Sequence, residues 1–209
     1  MNRSKSSKRW LHDHFSDTYV KRAQAEGLRA RSVYKLMEID RKYGLFRQNR
    51  VVVDLGAAPG SWSAYAASVL GARGKVFALD LLPMRPINQV EYLQGDFSEQ
   101  KIKLQLKQLV GSEVDIVLSD MAPNLTGVKC VDQMKSTELV RLAVDFATEV
   151  LKPKGSFLVK LFCGSEFEDL ISVIKDKFVE VQVIKPAASR IQSREVFLLA
   201  RQLKSYVGD

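Results

Sequence analysis

Sulfur and imidazole are scarce in this chain: two cysteines and two histidines among 209 residues. Cys130 and Cys163 stand far apart and show no metal-ligand spacing, so neither a disulfide scaffold nor a zinc cluster is predicted. His12 and His14 lie two apart and share no helix face, so they read as surface or packing residues rather than ligands. No run approaches the roughly 18 apolar residues of a membrane span. The first residues are rich in Ser, Lys and Arg and contain no apolar core region, so no secretory signal is read there. These absences predict no metal, no membrane contact and a cytoplasmic location in which both thiols stay reduced. Two phosphate-loop signatures are missing as well. The glycine turn at 56–60 lacks both the G-x-G-x-x-G spacing of dinucleotide sites and the terminal Gly-Lys-Ser/Thr of a Walker loop.

Acidic residues are short in the first fifty positions, with 5 Asp/Glu against 13 Lys/Arg, while the remainder of the chain is balanced. The whole formal excess of +8 therefore precedes the first apolar strand. Such asymmetry points to a polyanion, and nucleic acid is the natural candidate; the alternative is a solubilising tail with solvated helix faces. The candidate RNA contacts are Arg3, Lys5, Lys8, Arg9, Lys21, Arg22, Arg29 and Arg31. The length suits one compact domain with a substantial core. It is expected to divide into a basic N-terminal extension with short helices (1–50) and an α/β domain (51–209), acting as a monomer.

The stretch around which the chain is organised runs from Val51 to Ser63. Val51-Val52-Val53 favours a fully buried strand. The small residues and glycines that follow make a tight turn into a helix. Strand, glycine turn and helix open a doubly wound α/β fold, which binds ligands at the carboxyl ends of its strands. Gly56 and Gly60 let a ligand approach the main chain. Asp54 stands in this strand, Asp80 closes the next, and Asp96 follows the third in Gly95-Asp96-Phe97. Asp80 suits two ribose hydroxyls, and Asp96 suits an adenine amino group. No Lys or Arg in the first loop awaits a phosphate. Three carboxylates suit instead a nucleoside carrying positive charge, such as S-adenosyl-L-methionine.

The remaining pattern predicts helices over 17–26, capped by Ser16, and 33–42, capped by Ser32 and ended by Gly44. Further helices are expected over 61–70, 98–109, 134–151 and 164–177. Strands are expected over 75–80, 90–93, 114–118, 156–162, 178–184 and 195–200. Residues 125–132 read as irregular, Pro153-Lys154-Gly155 as a turn, and 185–194 as a loop. Asp120 follows the fourth strand, and Lys160 lies in the fifth, within Phe157-Leu158-Val159-Lys160-Leu161-Phe162. A lysine among such neighbours is costly to bury without a partner; the alternative is an edge-strand lysine reaching solvent. By itself Lys35 reads as a solvated helix face, and Glu195 is uninformative.

Taken together, Asp-Leu-Gly-Ala-Ala-Pro-Gly-Ser-Trp-Ser (54–63), Asp-Leu-Leu-Pro-Met (80–84), Gln-Gly-Asp-Phe (94–97), Ser-Asp-Met-Ala-Pro-Asn (119–124), Phe-Leu-Val-Lys (157–160) and Ser-Arg-Glu-Val (193–196) resemble the FtsJ-type RNA ribose 2′-O-methyltransferases. The resemblance covers nearly the whole chain. It is strongest to the bacterial heat-shock members acting on a uridine ribose of large-subunit (23S) ribosomal RNA, in the aminoacyl-tRNA-binding loop of the assembled subunit. It implies a Rossmann-like class I fold with a seven-stranded sheet, its last strand antiparallel, and helices on both faces. It implies S-adenosyl-L-methionine as methyl donor, and ribosomal RNA or the large ribosomal subunit as partner. A Lys-Asp-Lys-Glu tetrad carries over to Lys35, Asp120, Lys160 and Glu195, and a cofactor set to Gly60, Trp62, Asp80, Asp96 and Asp120, beside Gly56. Ser61 departs from the family, whose members have a second glycine there; serine is small enough to leave the pocket open. Lys160 would face the 2′-hydroxyl, as base or as orienting cation. Competing readings are a methyltransferase for another RNA, a base or small-molecule methyltransferase, and an RNA-binding ribosome assembly factor. Asp120-Met121-Ala122-Pro123-Asn124 lacks the Pro-Pro-aromatic signature of adenine N-methylation, and an intact tetrad argues against a site that has lost its chemistry.

Overall fold

The computed structural model describes residues 17–47, 50–124, 126–190 and 192–205. The expectations for Arg3, Lys5, Lys8, Arg9, His12, His14 and Ser16 lie outside these residues. The elements are α1 (Thr18–Ala25), α2 (Val33–Tyr43), β1 (Val51–Leu55), α3 (Ser61–Leu70), β2 (Lys75–Asp80), β3 (Val90–Gln94), α4 (Gln100–Val110), β4 (Val114–Ser119), α5 (Lys129–Val150), β5 (Leu151–Phe162), α6 (Phe167–Lys177), β6 (Phe178–Ile184) and β7 (Glu195–Leu203).

The strands form one sheet in the order β3-β2-β1-β4-β5-β7-β6. β1 to β5 are parallel, and β7 is antiparallel to both β5 and β6. The chain enters at β1, winds out to β3, then returns to β4 on the other side of β1. Connections therefore diverge between the carboxyl ends of β1 and β4, which opens a crevice there. Seven strands with the last antiparallel are what the resemblance implied.

Burial on both faces explains the apolar strands. On one face Val53, Leu79, Val117 and Val159 pack with Leu106 of α4, Val140 and Val144 of α5, and Ile171 of α6. On the other, Val52, Ile116 and Leu158 pack with Trp62 and Leu70 of α3 and with Leu36 and Ile39 of α2. Burying side chains such as Leu36 and Ile39 contributes roughly 1.5–3 kcal/mol each. α2 thus belongs to the sheet's second layer, and the charge boundary near residue 50 is not a break in packing.

Five boundaries or caps differ from the sequence reading. The first helix is capped by the Asp17 side chain, which accepts from Tyr19 N at 3.0 Å. Ser32 stands at the start of α2 without a side-chain capping bond; Gly44 ends that helix at φ 60 as expected. α5 starts at Lys129, well before residue 134, because Asp132 holds the Thr126 and Gly127 amides and organises the turn ahead of it. β5 already begins at Leu151, which pairs with Val114 across a register shift, and β7 continues to Leu203, paired with Phe178.

Candidate active site

A cavity of about 520 Å3 lies at the carboxyl ends of the strands, lined by Gly56, Ala58, Asp80, Asp96, Phe97, Asp120 and Met121, with Leu139 and Leu142 of α5. That size suits a small molecule. Loops at the ends of β1, β2, β3 and β4 all contribute. At Gly56 the main chain has φ 79, and a Cβ there would sit 2.8 Å from Met121 N. Only glycine lets the β1 and β4 turns approach this closely.

The carboxylate of Asp80 is held in place by main-chain donors: Ala58 N to Oδ2 and Leu82 N to Oδ1, both 2.8 Å. Each oxygen keeps a lone pair for a further donor. Tyr92 donates to Leu82 O, and Gln94 Nε2 to Leu81 O at 3.2 Å, which fixes the loop after β2. The sequence reading missed both side chains; their alternation along β3 was the available signal. Asp96 accepts from Ser98 N at 2.9 Å and lies on the cavity wall. Three carboxylates facing a partly apolar cavity fit a nucleoside with a cationic sulfonium, the group the sequence suggested.

Two residues from the implied cofactor set sit behind this wall. Trp62 is buried; its Nε1 donates to Ser32 O at 3.0 Å and its ring packs 5.6 Å from Phe197. Gly60 is covered by Met84 and Ile87, whose side chains occupy the space a Cβ would need. Ser61 is buried, its hydroxyl without a partner.

Asp54 departs from the expectation that it faces the ligand. It is fully buried beneath the turn, because strand alternation aims it at α3, where Ser63 Oγ donates to its Oδ2 at 2.6 Å. Its Oδ1 has no partner. Burial pushes its carboxyl up to about 7; the Ser63 hydroxyl opposes this, and the Asp120 and Asp80 charges add to it. The folded state therefore holds a proton that the unfolded chain releases near pH 4. Stability should fall as pH rises from about 4 to about 7, by at most about 1.4 kcal/mol per unit, and level off above. Denaturant titrations across that range should show the slope in the wild type and a flatter profile in Asp54→Asn. Equal slopes would assign the pH dependence to other groups.

The tetrad assembles from four elements. Asp120 follows β4, opposite Lys160 on β5, since Ser119 pairs with Val159. Lys160 pairs with Phe197, and Phe162 with Glu195, so Lys160 and Glu195 share one face of the sheet. Lys160 Nζ donates to Asp120 O at 2.5 Å and lies 2.9 Å from Asp120 Oδ1. Its side chain is 8% exposed, so it is not a lysine reaching solvent. Lys35 of α2 is buried as well, with Nζ 2.5 Å from Glu195 Oε1. Burial alone would raise the Glu195 carboxyl; the Lys35 ammonium outweighs it, with smaller help from Ser189 and Lys160, and holds it below the usual carboxylate range. Asp120 joins the two halves, since it lines the cavity and pairs with Lys160.

A second recess, about 320 Å3, is lined by Arg31, Lys35, Arg190, Gln192, Ser193 and Glu195. Lys21 is exposed. Arg22 is exposed too, paired with Glu26 at 2.6 Å. Arg31 is more committed than the sequence suggested: Nη2 donates to Ala188 O at 2.6 Å, and Nε lies 3.2 Å from Asp17. Arg29 is engaged with main-chain carbonyls of the glycine turn and of the loop after β2. Cys130 and Cys163 are free thiols, and no helix among the described residues is long and apolar enough to cross a membrane.

Residues 28–203 match the family of FtsJ-like methyltransferases. A relative from Azoarcus sp. (strain BH72), named ribosomal RNA large subunit methyltransferase E, is 55% identical over 205 residues, covering 98% of this chain and all of the relative. A protein of the same name from Legionella pneumophila (strain Paris) is 50% identical, covering 96% of this chain and 98% of its own. Among solved structures, a ribosomal RNA methyltransferase from Plasmodium falciparum superposes with TM-score 0.72 at 30% identity, covering 84% of this chain and 98% of its own. Aeropyrum pernix fibrillarin, solved with S-adenosyl-L-methionine, shares the fold at 14% identity and TM-score 0.59, covering 81% of this chain and 73% of its own. With a family match spanning most of its length and relatives half-identical nearly end to end, the chain belongs to the FtsJ-like methyltransferases.

Proposed function

We propose that this protein transfers a methyl group from S-adenosyl-L-methionine to a ribose 2′-hydroxyl of large-subunit ribosomal RNA, with a uridine in the aminoacyl-tRNA-binding loop of the assembled subunit as target. The observation that carries the reading is the sharing of Asp120 between the carboxylate-lined cavity and the buried Lys160. The names of the half-identical relatives support the RNA class.

Bound in the cavity, the cofactor supplies an electrophilic methyl on a sulfonium. Asp80 would accept hydrogen bonds from the nucleoside ribose, and Asp96 would read the base. Asp120, on the cavity wall, would supply negative charge toward the sulfonium, and it anchors Lys160. As an amine, Lys160 would take the 2′-hydroxyl proton while the oxygen bonds to the methyl carbon and the S–CH3 bond breaks, leaving S-adenosylhomocysteine; as an ammonium it would only orient the hydroxyl, whose proton would then pass to water. Lys35 and Glu195 would frame the other side and open onto the second recess. Positioning is the main contribution, because the donor is intrinsically reactive.

Lys21, Arg22 and the basic residues 3–9 would supply the phosphate contacts. Mapping ribose methylation in large-subunit RNA from cells with and without this gene tests the reading. One uridine should lose its methyl group and regain it on incubation of isolated large subunits with the protein and cofactor. RNA affinity should also fall steeply with salt, as counterion release demands. An unchanged methylation map, with the protein still bound to RNA, would favour an assembly factor without chemistry.

A further inference from the structure

Arg29 lies in the connector between α1 and α2, and sequence alone places it among the RNA contacts. Its guanidinium is directed elsewhere. Nη1 donates to Pro59 O at 3.0 Å and to Arg85 O at 2.9 Å, and Nη2 donates to Pro86 O at 2.9 Å. Pro59 belongs to the glycine turn; Arg85 and Pro86 belong to the loop after β2. One planar cation therefore ties together the two segments that flank the cofactor cavity.

These segments also touch directly. A Cβ on Gly60 would fall 2.6 Å from Ile87 Cδ1, 2.7 Å from Met84 Sδ and 3.3 Å from Arg29 Nη1. Gly60 thus lets the loop close onto the turn, and Arg29 crosses the seam. The same loop begins with Asp80, Leu81 and Leu82, which line the cavity. The Asp80 carboxylate is oriented by one donor from each segment, Ala58 N and Leu82 N. If the seam widened, those two donors would separate and the carboxylate would lose its fixed direction.

We propose that Arg29 is a positioning residue that sets the separation of the glycine turn and the β2 loop, and so the affinity of the cavity for the cofactor. Three features support this over an RNA contact. Charge-assisted bonds from a guanidinium to carbonyls are stronger than neutral ones. The fork geometry reaches acceptors on two segments at once, which a compact ammonium does not reproduce. The connector continues into Ser32, whose carbonyl accepts from Trp62 Nε1, so Arg29 springs from a base fixed to α3 rather than from a free arm. The inference rests on the reading of the cavity as the S-adenosyl-L-methionine site.

The test uses the full-length protein with S-adenosylhomocysteine as calorimetric probe, and large-subunit RNA in a parallel salt titration. Arg29→Ala and Arg29→Lys should each raise the Kd for the probe about tenfold or more. The KM for the methyl donor should rise in parallel, with kcat at saturating donor near that of the wild type. Ile87→Ala, an uncharged change on the other side of the seam, should also raise the Kd. All three should keep the wild-type slope of log RNA affinity against log salt. A phosphate contact would behave oppositely: normal Kd for the probe, with the slope reduced by about one. That result overturns the proposal, as does a wild-type Kd in Arg29→Lys and Ile87→Ala should Arg29→Ala fail to fold. A wild-type protein that binds no probe would overturn the cavity reading and the proposal together.

Discussion

Replacing Lys160 by methionine should lower turnover by about a thousandfold, the scale of losing a positioned proton-transfer or charge-stabilising group. Methionine keeps the apolar stem that packs in β5 and removes only the ammonium. Asp120 then loses both the hydrogen bond to its carbonyl and its ion-pair partner, but its carboxylate still faces the cavity. Cofactor affinity should therefore change by less than about threefold, while kcat and kcat/KM fall together; that combination identifies an interaction made chiefly in the transition state. Lys160→Arg should be almost as damaging. A guanidinium is larger and planar, and a side chain 8% exposed between Asp120 and Phe162 has no room to swing aside. Single-turnover methylation of isolated large subunits, beside calorimetry with S-adenosylhomocysteine, checks both variants. Methylation by Lys160→Met near the wild-type rate would remove this lysine from the chemistry.

Lys160, Asp120 and the glycine turn were legible in the sequence because their signals are local. A β-branched run ending in small residues gives a strand, a turn and a ligand site in one stretch. A lysine flanked by Phe157, Leu158, Val159, Leu161 and Phe162 demands a partner wherever it lies. Asp80 and Asp96 could be read in the same way, as polar residues at the ends of apolar strands. The residues whose surroundings the sequence did not show depend on packing between distant segments. Asp54 resembles Asp80 in sequence, but alternation along β1 turns it under α3, where Ser63 meets it. Trp62 stands within the glycine motif yet packs into the core against Phe197. Arg29 and Arg31 look like ordinary members of a basic segment; their acceptors are thirty or more residues away, at Pro59, Arg85, Pro86 and Ala188. The early start of α5 was missed because 129–133 is polar and lacks apolar periodicity, its turn being organised by Asp132 instead. Charge counting singled out the basic segment, but it could not separate side chains that hold the fold from those left exposed.

Breaking the Lys35–Glu195 pair should be the most destabilising change at the site. Both side chains are nearly buried, at 10% and 12% exposure, with Nζ and Oε1 2.5 Å apart. Removing one member strands the other away from water. Lys35→Met should therefore cost about 2–4 kcal/mol of stability, and Glu195→Leu a similar amount; the lower end applies to Lys35→Met because Lys160 still attracts the remaining carboxylate. The double variant leaves neither charge stranded, so it should recover most of that loss and depart clearly from additivity. Turnover should not recover with it. Lys35→Met and the double variant should both remain well below wild type, while Glu195→Gln, which preserves shape and acts through its neighbours, should lose only about tenfold. Acid gives a second check. The folded-state Glu195 carboxyl lies below its ordinary value, so the pair's contribution is complete above about pH 4.5 and fades as pH falls through the depressed value. The stability gap between wild type and Lys35→Met should then narrow between pH 5 and pH 3. Denaturant titrations at both ends of that range, with single-turnover rates for the same four variants, decide the matter. Single-variant losses that simply add in the double variant would show that the two residues do not act as a pair.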